Sequence, residues 1–379
     1  MPGGGRFYGS LECFSVILPS VAPETLTRSA CDAVGYLYFG HRTPSRDLAT
    51  RHQRAYGQAL HQLRLALEDP VAQKQDETLL AVWLLCLYEL MLGTPPDAPG
   101  PGPSNWAAHS LALTGLLRVR GHQHFGTRTG CQLFQLCYHH IQTCALQSGT
   151  EPAAEAKQWF EAIRTSVNTQ DPLYLFLPFL LFGDEAAHIC SGALRAWDRA
   201  TEPEERLTTL YTTFHSARAL EFSMHGSWER LRSLGSPPDA PENPKQTHLL
   251  LHIRNHIDTC IICVHSVLLD LLREALTWPE IFPGTHSQLG ELQQVCTEVS
   301  QERADRILSS IAQFLPDGGS NIPGWADALR LMWPARVILA SSATQGSRAD
   351  TAKVALRRIA YEVGIMQAVG SFFKPARVS

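Results

Sequence analysis

Dense positive charge is the first thing missing from this chain. Of its 379 residues 18% are charged, the formal net charge is -4, and the only adjacent basic pair on an expected helix is Arg357-Arg358. Phosphate contacts need clustered cations, so this argues against a nucleic-acid surface within these residues. Membrane-length apolar runs are missing too. The longest block, Leu79 to Leu92, spans about 21 Å as a helix, short of a hydrocarbon core of about 30 Å. Residues 1–20 hold one Arg, then Glu12, then an apolar run broken by Ser15 and Pro19, which is not a secretory leader. No Asn-x-Ser/Thr acceptor occurs, and ten scattered cysteines fit a reduced interior better than a disulfide framework. Alternating Val/Ile/Thr-rich runs with Asn-Gly turns are absent, which leaves no sheet to expect. There is no Gly-x-Ser-x-Gly, His-Glu-x-x-His, phosphate loop or Gly-x-Gly-x-x-Gly. Gly100-Pro101-Gly102-Pro103 is glycine-rich, but its prolines remove the amide donors an anion site would use.

What remains is apolar residues at helical spacing. The block Leu79–Leu92 is interrupted by one charge, Glu89, and reads as a helix buried on all sides, capped by Asp76 and ended by Gly93 in the left-handed region. After a proline-rich break, Ser104 or Asn105 starts a second helix that carries Leu111, Leu113, Leu116 and Leu117 inward and ends on Arg118 and Arg120 before Gly121. The two form a hairpin with Trp106 packed near the first helix. Before it, helices are expected over 23–39 and 45–69, the second with Tyr56, Ala59, Leu60, Leu63, Ala66 and Leu67 on its face. After it they are expected over 130–147, 151–167, 173–197 (kinked or split at Pro178), 202–234, 246–276, 287–315, 324–342 (broken or bent at Pro334) and 349–373. With no fixed-period repeat, the fold class is all-α: an irregular multi-helical array of about ten to twelve helices.

Glu89 cannot be buried as a charge without partners, and His109, Arg118 and Arg120 are the candidates across the hairpin. A solvated Glu89 at the last exposed turn is the alternative. His252, His256, Cys260 and Cys263 make four potential ligands, but along one helix they span about 16 Å. One tetrahedral ion cannot collect them at about 2.0–2.3 Å, so a packed helix is the better reading. Cys131, Cys137 and Cys144 lack a matching second half, and His122 and His124 follow Gly121 in a loop. No catalytic residue, metal ligand, DNA-binding residue or cofactor is expected.

Asp76-Glu77-Thr78-Leu79, Leu84-Leu85 through Tyr88-Glu89-Leu90, Trp106-x-x-His109, Leu116-Leu117 and Arg120-Gly121 together resemble the opening of the fungal transcription-factor homology domain, the regulatory region of zinc-cluster regulators. Tyr56 through Asp69-Pro70, Leu133-Phe134, Gly364-Ile365 and Gln367-Ala368 are similar too. The resemblance covers roughly residues 14 to 370. It implies that Glu89, Trp106, His109, Arg120 and Gly121 are signature positions with a structural role. It also implies a helical regulatory module in a fungal nucleus, controlling a metabolic or secondary-metabolite gene cluster.

A zinc cluster needs six cysteines in two Cys-x-x-Cys-x6-Cys halves. Cys13 and Cys31 stand alone, and Cys86 follows only after a long gap. Direct DNA binding is therefore not expected of these residues; a zinc cluster lost or left outside the sequence would explain the pattern. The expected function is a transcriptional regulator acting through a protein partner, either a DNA-binding regulator or a second copy, with room for a small-molecule effector and no membrane. The alternatives are a helical metabolite-sensing or protein-binding module and, behind it, an enzyme without a recognisable motif. The expected organisation is an N-terminal extension over 1–22, the regulatory domain over 23–373 with lobes 23–235 and 245–373 about a proline-rich loop, and a tail over 374–379.

Overall fold

The computed structural model describes residues 13–43, 45–93, 105–167, 172–235, 244–277, 285–315 and 324–370, with the side chains at 105–107, 123, 172, 173, 175, 225, 230–235 and 244–247 outside that description. All the regular structure among them is helical, in thirteen α-helices joined by short 3-10 turns. In order these are α1 (Cys13–Ile17), α2 (Leu26–Arg42), α3 (Arg46–Glu68), α4 (Asp76–Leu92), α5 (Asn105–Arg120), α6 (Arg128–Ser148) and α7 (Ala156–Ser166). There follow α8 (Pro172–Arg199), α9 (Pro203–Gly235), α10 (Pro244–Leu276), α11 (Thr285–Phe314), α12 (Trp325–Ala340) and α13 (Ser347–Arg358). Among the described residues no helix is long and apolar enough to cross a membrane.

The chain forms two compact units, each discontinuous: residues 1–144, 153–177 and 359–372 in the first, and 145–152, 178–358 and 373–379 in the second. The division passes within α6 and α8 and after α13; of the proline-rich stretch Pro237–Pro244, expected as an inter-lobe loop, Pro244 opens α10 and the rest lies outside the described residues, as does the tail. Residues 13–20, placed by sequence in an extension, form α1 and a 3-10 turn; Cys13 and Ile17 are buried and Phe14 meets Trp83 edge-on at 5.6 Å.

In the first unit α4 is the central element, packed against α2, α3 and α5. Thirteen of its seventeen residues are buried, which explains why no polar stripe interrupts its sequence. Asp76 is the first helical residue and not the cap; Gln75 holds the cap position without a side-chain bond. A carboxylate already in helical conformation is poorly placed for the amides an N-cap reaches, and this one is taken by Arg120. On α5, Leu113, Leu116, Leu117 and Arg120 form the buried stripe, while Leu111 is 71% exposed, against expectation. Two residues at about 100° each set Leu111 roughly opposite Leu113. The buried stripe of α3 is His52, Ala55, Ala59 and Leu63, leaving Leu60 and Leu67 exposed on its flanks. Beyond the hairpin, Phe134 stacks on Tyr138 at 5.0 Å and meets the Phe125, Trp159 and Phe160 rings at their edges, joining α6 to α7.

The second unit is built on α10, which packs against α9, α11 and α12. Neither internal proline splits its helix: α8 runs through Pro178 and α12 through Pro334. The expected last helix over 349–373 is shorter. Here α13 ends at Arg358, residues 359–363 make one π turn, and a 3-10 turn follows over 366–368 after Gly364 at φ +88°. An i→i+5 turn breaks the α register.

Candidate functional site

Arg120 at the end of α5 reaches the start of α4, so the two helices run antiparallel. Its Nη1 donates to the Lys74 carbonyl at 2.9 Å and its Nη2 pairs with Asp76 Oδ1 at 2.5 Å. The side chain is almost fully buried. His124 follows in the 3-10 segment His122–Gly126; burial first and the Arg120 charge second push its pKa down. Between them Gly121 has φ +68° and ψ -174°, and Gly93 at the end of α4 has φ 74° and ψ 156°. Both lie in the region that only glycine adopts readily and not in the left-handed helical region expected for Gly93. The two glycines turn the chain sharply where it leaves each hairpin helix.

At the other end of the hairpin, half-buried Glu89 accepts a short hydrogen bond from the Tyr56 hydroxyl on α3. The Tyr56 ring stacks on Tyr88 at 4.3 Å, and the Tyr88 hydroxyl shares a 2.8 Å hydrogen bond with His52 Nδ1. Burial, then the Glu89 charge, pushes the Tyr88 pKa up to about 12. His109 on α5 feels Glu89 as well: burial lowers its pKa and the carboxylate raises it in part. Of the candidates for Glu89, Arg118 pairs instead with Glu155 at 2.8 Å and Arg120 with Asp76, while Tyr56 is a partner that sequence reasoning missed. The structure therefore brings Glu89 and His109 together at one end of the hairpin and sets Arg120 and Gly121 at the other. The backbone of Trp106 lies in the first turn of α5, and its side chain lies outside the described residues.

The second unit holds a buried charge network that the sequence reading did not single out. Asp258 on α10 is 2% exposed, and its Oδ1 receives Arg306 at 2.9 Å and Arg303 at 3.3 Å, both from α11. His265, also on α10 and fully buried, meets Glu221 of α9 at 3.0 Å. A signal was available, since Asp258 interrupts an apolar helix as Glu89 does. Further along, His252 Nε2 shares a 2.8 Å hydrogen bond with Asp327 of α12, and its ring stacks on Phe314 at 4.5 Å.

The Cys/His helix is packed. Cys260 is buried, His256 Nε2 lies 3.8 Å from Cys260 Sγ, and among the described residues no group of three His, Cys, Asp or Glu can hold a metal ion. Burial pushes the thiols of Cys263 and Cys144 up to about 12 and Cys31 to about 11. These thiols stay protonated at neutral pH and are not activated nucleophiles. The pairs Arg120–Asp76, Arg303–Asp258, Arg306–Asp258 and His265–Glu221 each join two different helices.

Neither a curated protein nor a solved structure matches the chain. The family model described as the fungal specific transcription factor domain matches residues 13–334. The match ends earlier than the resemblance read from Gly364-Ile365 and Gln367-Ala368. It covers both hairpin helices and the start of α12. The chain belongs to the fungal specific transcription factor domain family.

Proposed function

We propose that these residues are the regulatory module of a transcriptional regulator in a fungal nucleus, controlling a metabolic or secondary-metabolite gene cluster. On this reading it reaches promoters through a protein partner, a DNA-binding regulator or a second copy of itself. The family match over most of the chain is the observation that carries it, and that family is a regulatory one and not a class of enzymes. Electrostatics supports indirect DNA contact. The net charge is -4, and Arg118, Arg120, Arg303, Arg306 and Arg348 are each held against a carboxylate of the same protein. Paired arginines release few counterions from DNA, and counterion release is the main source of non-specific affinity. The hairpin signature residues Glu89, His109, Arg120 and Gly121 act in this proposal by holding the first unit in shape.

Deleting the gene should change the transcripts of a coherent gene set. Chromatin precipitation should recover the protein at those promoters, while the pure protein shifts no promoter fragment at physiological salt. Sequence-specific retention of naked promoter DNA, weakening steeply with salt, would overturn the partner mechanism. Unchanged transcripts would overturn the regulatory role itself.

A further inference from the structure

Arg330 lies in the second turn of α12, one turn beyond Asp327, and is half-buried. Among the described residues it makes no hydrogen bond and no ion pair. Among the described residues, the carboxylate that acts on it, Asp327, is committed elsewhere. Asp327 Oδ1 is held by His252 at 2.8 Å, and Oδ2 is turned back to the helix start, 3.0 Å from where a Cβ on Gly324 would stand. Burial pulls the Arg330 pKa down, and the Asp327 charge offsets this only in part.

A guanidinium has five N–H donors in a planar fork and does not lose its proton, so withdrawing it from water with no acceptor is costly. An arginine on the outer face of a helix would simply extend into solvent. Two imidazoles lie in the same surroundings. His248 acts electrostatically on both Asp327 and His252, and its ring meets Phe314 edge-on at 4.8 Å. Two imidazoles and a guanidinium thus surround one carboxylate. A second polar group is left over as well: His252 is 8% exposed, and its Nδ1 is sealed from solvent without a partner.

We propose that Arg330 is the centre of an anion-recognition site in the second unit, which takes the carboxylate group of a small metabolite in a bidentate pair. A fork of parallel N–H groups matches a carboxylate or a phosphate. With the imidazoles neutral, Asp327 balances the Arg330 charge, so recognition rests on the planar fork more than on net charge, and this favours the two coplanar oxygens of a carboxylate group over a tetrahedral phosphate dianion. The site is inferred independently of the regulatory reading, so ligand binding to pure protein can fail while the transcript effects stand, and the reverse.

The test is thermal unfolding of the full chain in succinate, in inorganic phosphate and in chloride, each at tens of millimolar and matched ionic strength. Succinate should raise the wild-type Tm above chloride by about 2 °C or more, and phosphate by less. In chloride, Arg330→Met should unfold no lower than wild type, since it removes a half-buried charge that no hydrogen bond holds, and it should lose the succinate shift. Asp327→Asn, which removes the competing carboxylate, should show a larger succinate shift than wild type and keeps the test open if the Met variant fails to fold. Equal Tm in succinate and chloride, a shift retained in Arg330→Met, or a smaller shift in Asp327→Asn would overturn the site. A phosphate shift exceeding that of succinate would overturn the carboxylate assignment.

Discussion

Replacing Asp76 with alanine strands the Arg120 guanidinium, which is 2% exposed, with one neutral acceptor, the Lys74 carbonyl at 2.9 Å. Breaking a buried ion pair from one side costs about 3–5 kcal/mol. The Asp76 side chain is 33% exposed, and solvent screening at that partner brings the expected loss to about 2–3 kcal/mol. Arg120→Met removes the charge, keeps an apolar stem of similar length, and leaves Asp76 at a helix N-terminus, where a carboxylate is favoured. Two hydrogen bonds are lost but no buried charge remains, so the cost should be about 1 kcal/mol. The double variant Asp76→Ala with Arg120→Met should match Arg120→Met closely, a coupling of about 2–3 kcal/mol. Against a total stability of about 5–15 kcal/mol, Asp76→Ala shifts a urea midpoint measurably when followed by far-UV circular dichroism. Equal losses in the two single variants, or strict additivity, would refute the reasoning and leave Arg120 as a packing residue only.

Tyr56→Phe removes the hydroxyl that Glu89 accepts and should destabilise by about 1.5–3 kcal/mol in denaturant titration, with the Glu89→Gln combination less than additive. His140, whose Nε2 is sealed from solvent, has its pKa pushed down to about 3, chiefly by burial. The unfolded chain therefore binds this proton first, and the group's contribution is complete above about pH 6.5 and lost as pH falls toward 3. His140→Gln should accordingly lose about 1–2 kcal/mol less than wild type between pH 6.5 and 4.5; parallel stability profiles would show that the imidazole titrates normally. Gly93→Ala meets Met366 Cβ at 2.9 Å besides its strained φ of +74°, whereas Gly121, at φ +68°, has nothing within 4 Å. Gly121→Ala should cost about 1–3 kcal/mol and Gly93→Ala more, with equal urea midpoints counting against the close approach.

The helical hairpin was legible because its signals are local. An unbroken apolar block needs no neighbour to be recognised as a buried helix, and the ends of α4 and α5 fall close to where glycine and arginine mark them. Glu89 was legible as a problem in need of a partner, but its partner was not. Tyr56 lies 33 positions away in another helix, and only the packing of α3 on α4 brings the hydroxyl to the carboxylate. Leu111 was misplaced because composition alone cannot say which arc of an evenly apolar helix faces inward, and α5 has four leucines on more than one side.

Composition and period thus determined the all-helical class and the rough limits of most helices, about ten to twelve expected against thirteen among the described residues, while signature residues such as Asp76-Glu77-Thr78-Leu79 and Arg120-Gly121 carried the resemblance to the fungal regulatory family. The tertiary structure decided which helices share a unit, that Asp76 serves Arg120 and not the helix cap, and that Arg330 makes no hydrogen bond or ion pair among the described residues. Helix formation depends on residues three or four apart, which a linear reading sees. A buried charge depends on whatever the fold brings within a few ångströms, and for Asp258 and Arg306 that neighbour is 48 residues away.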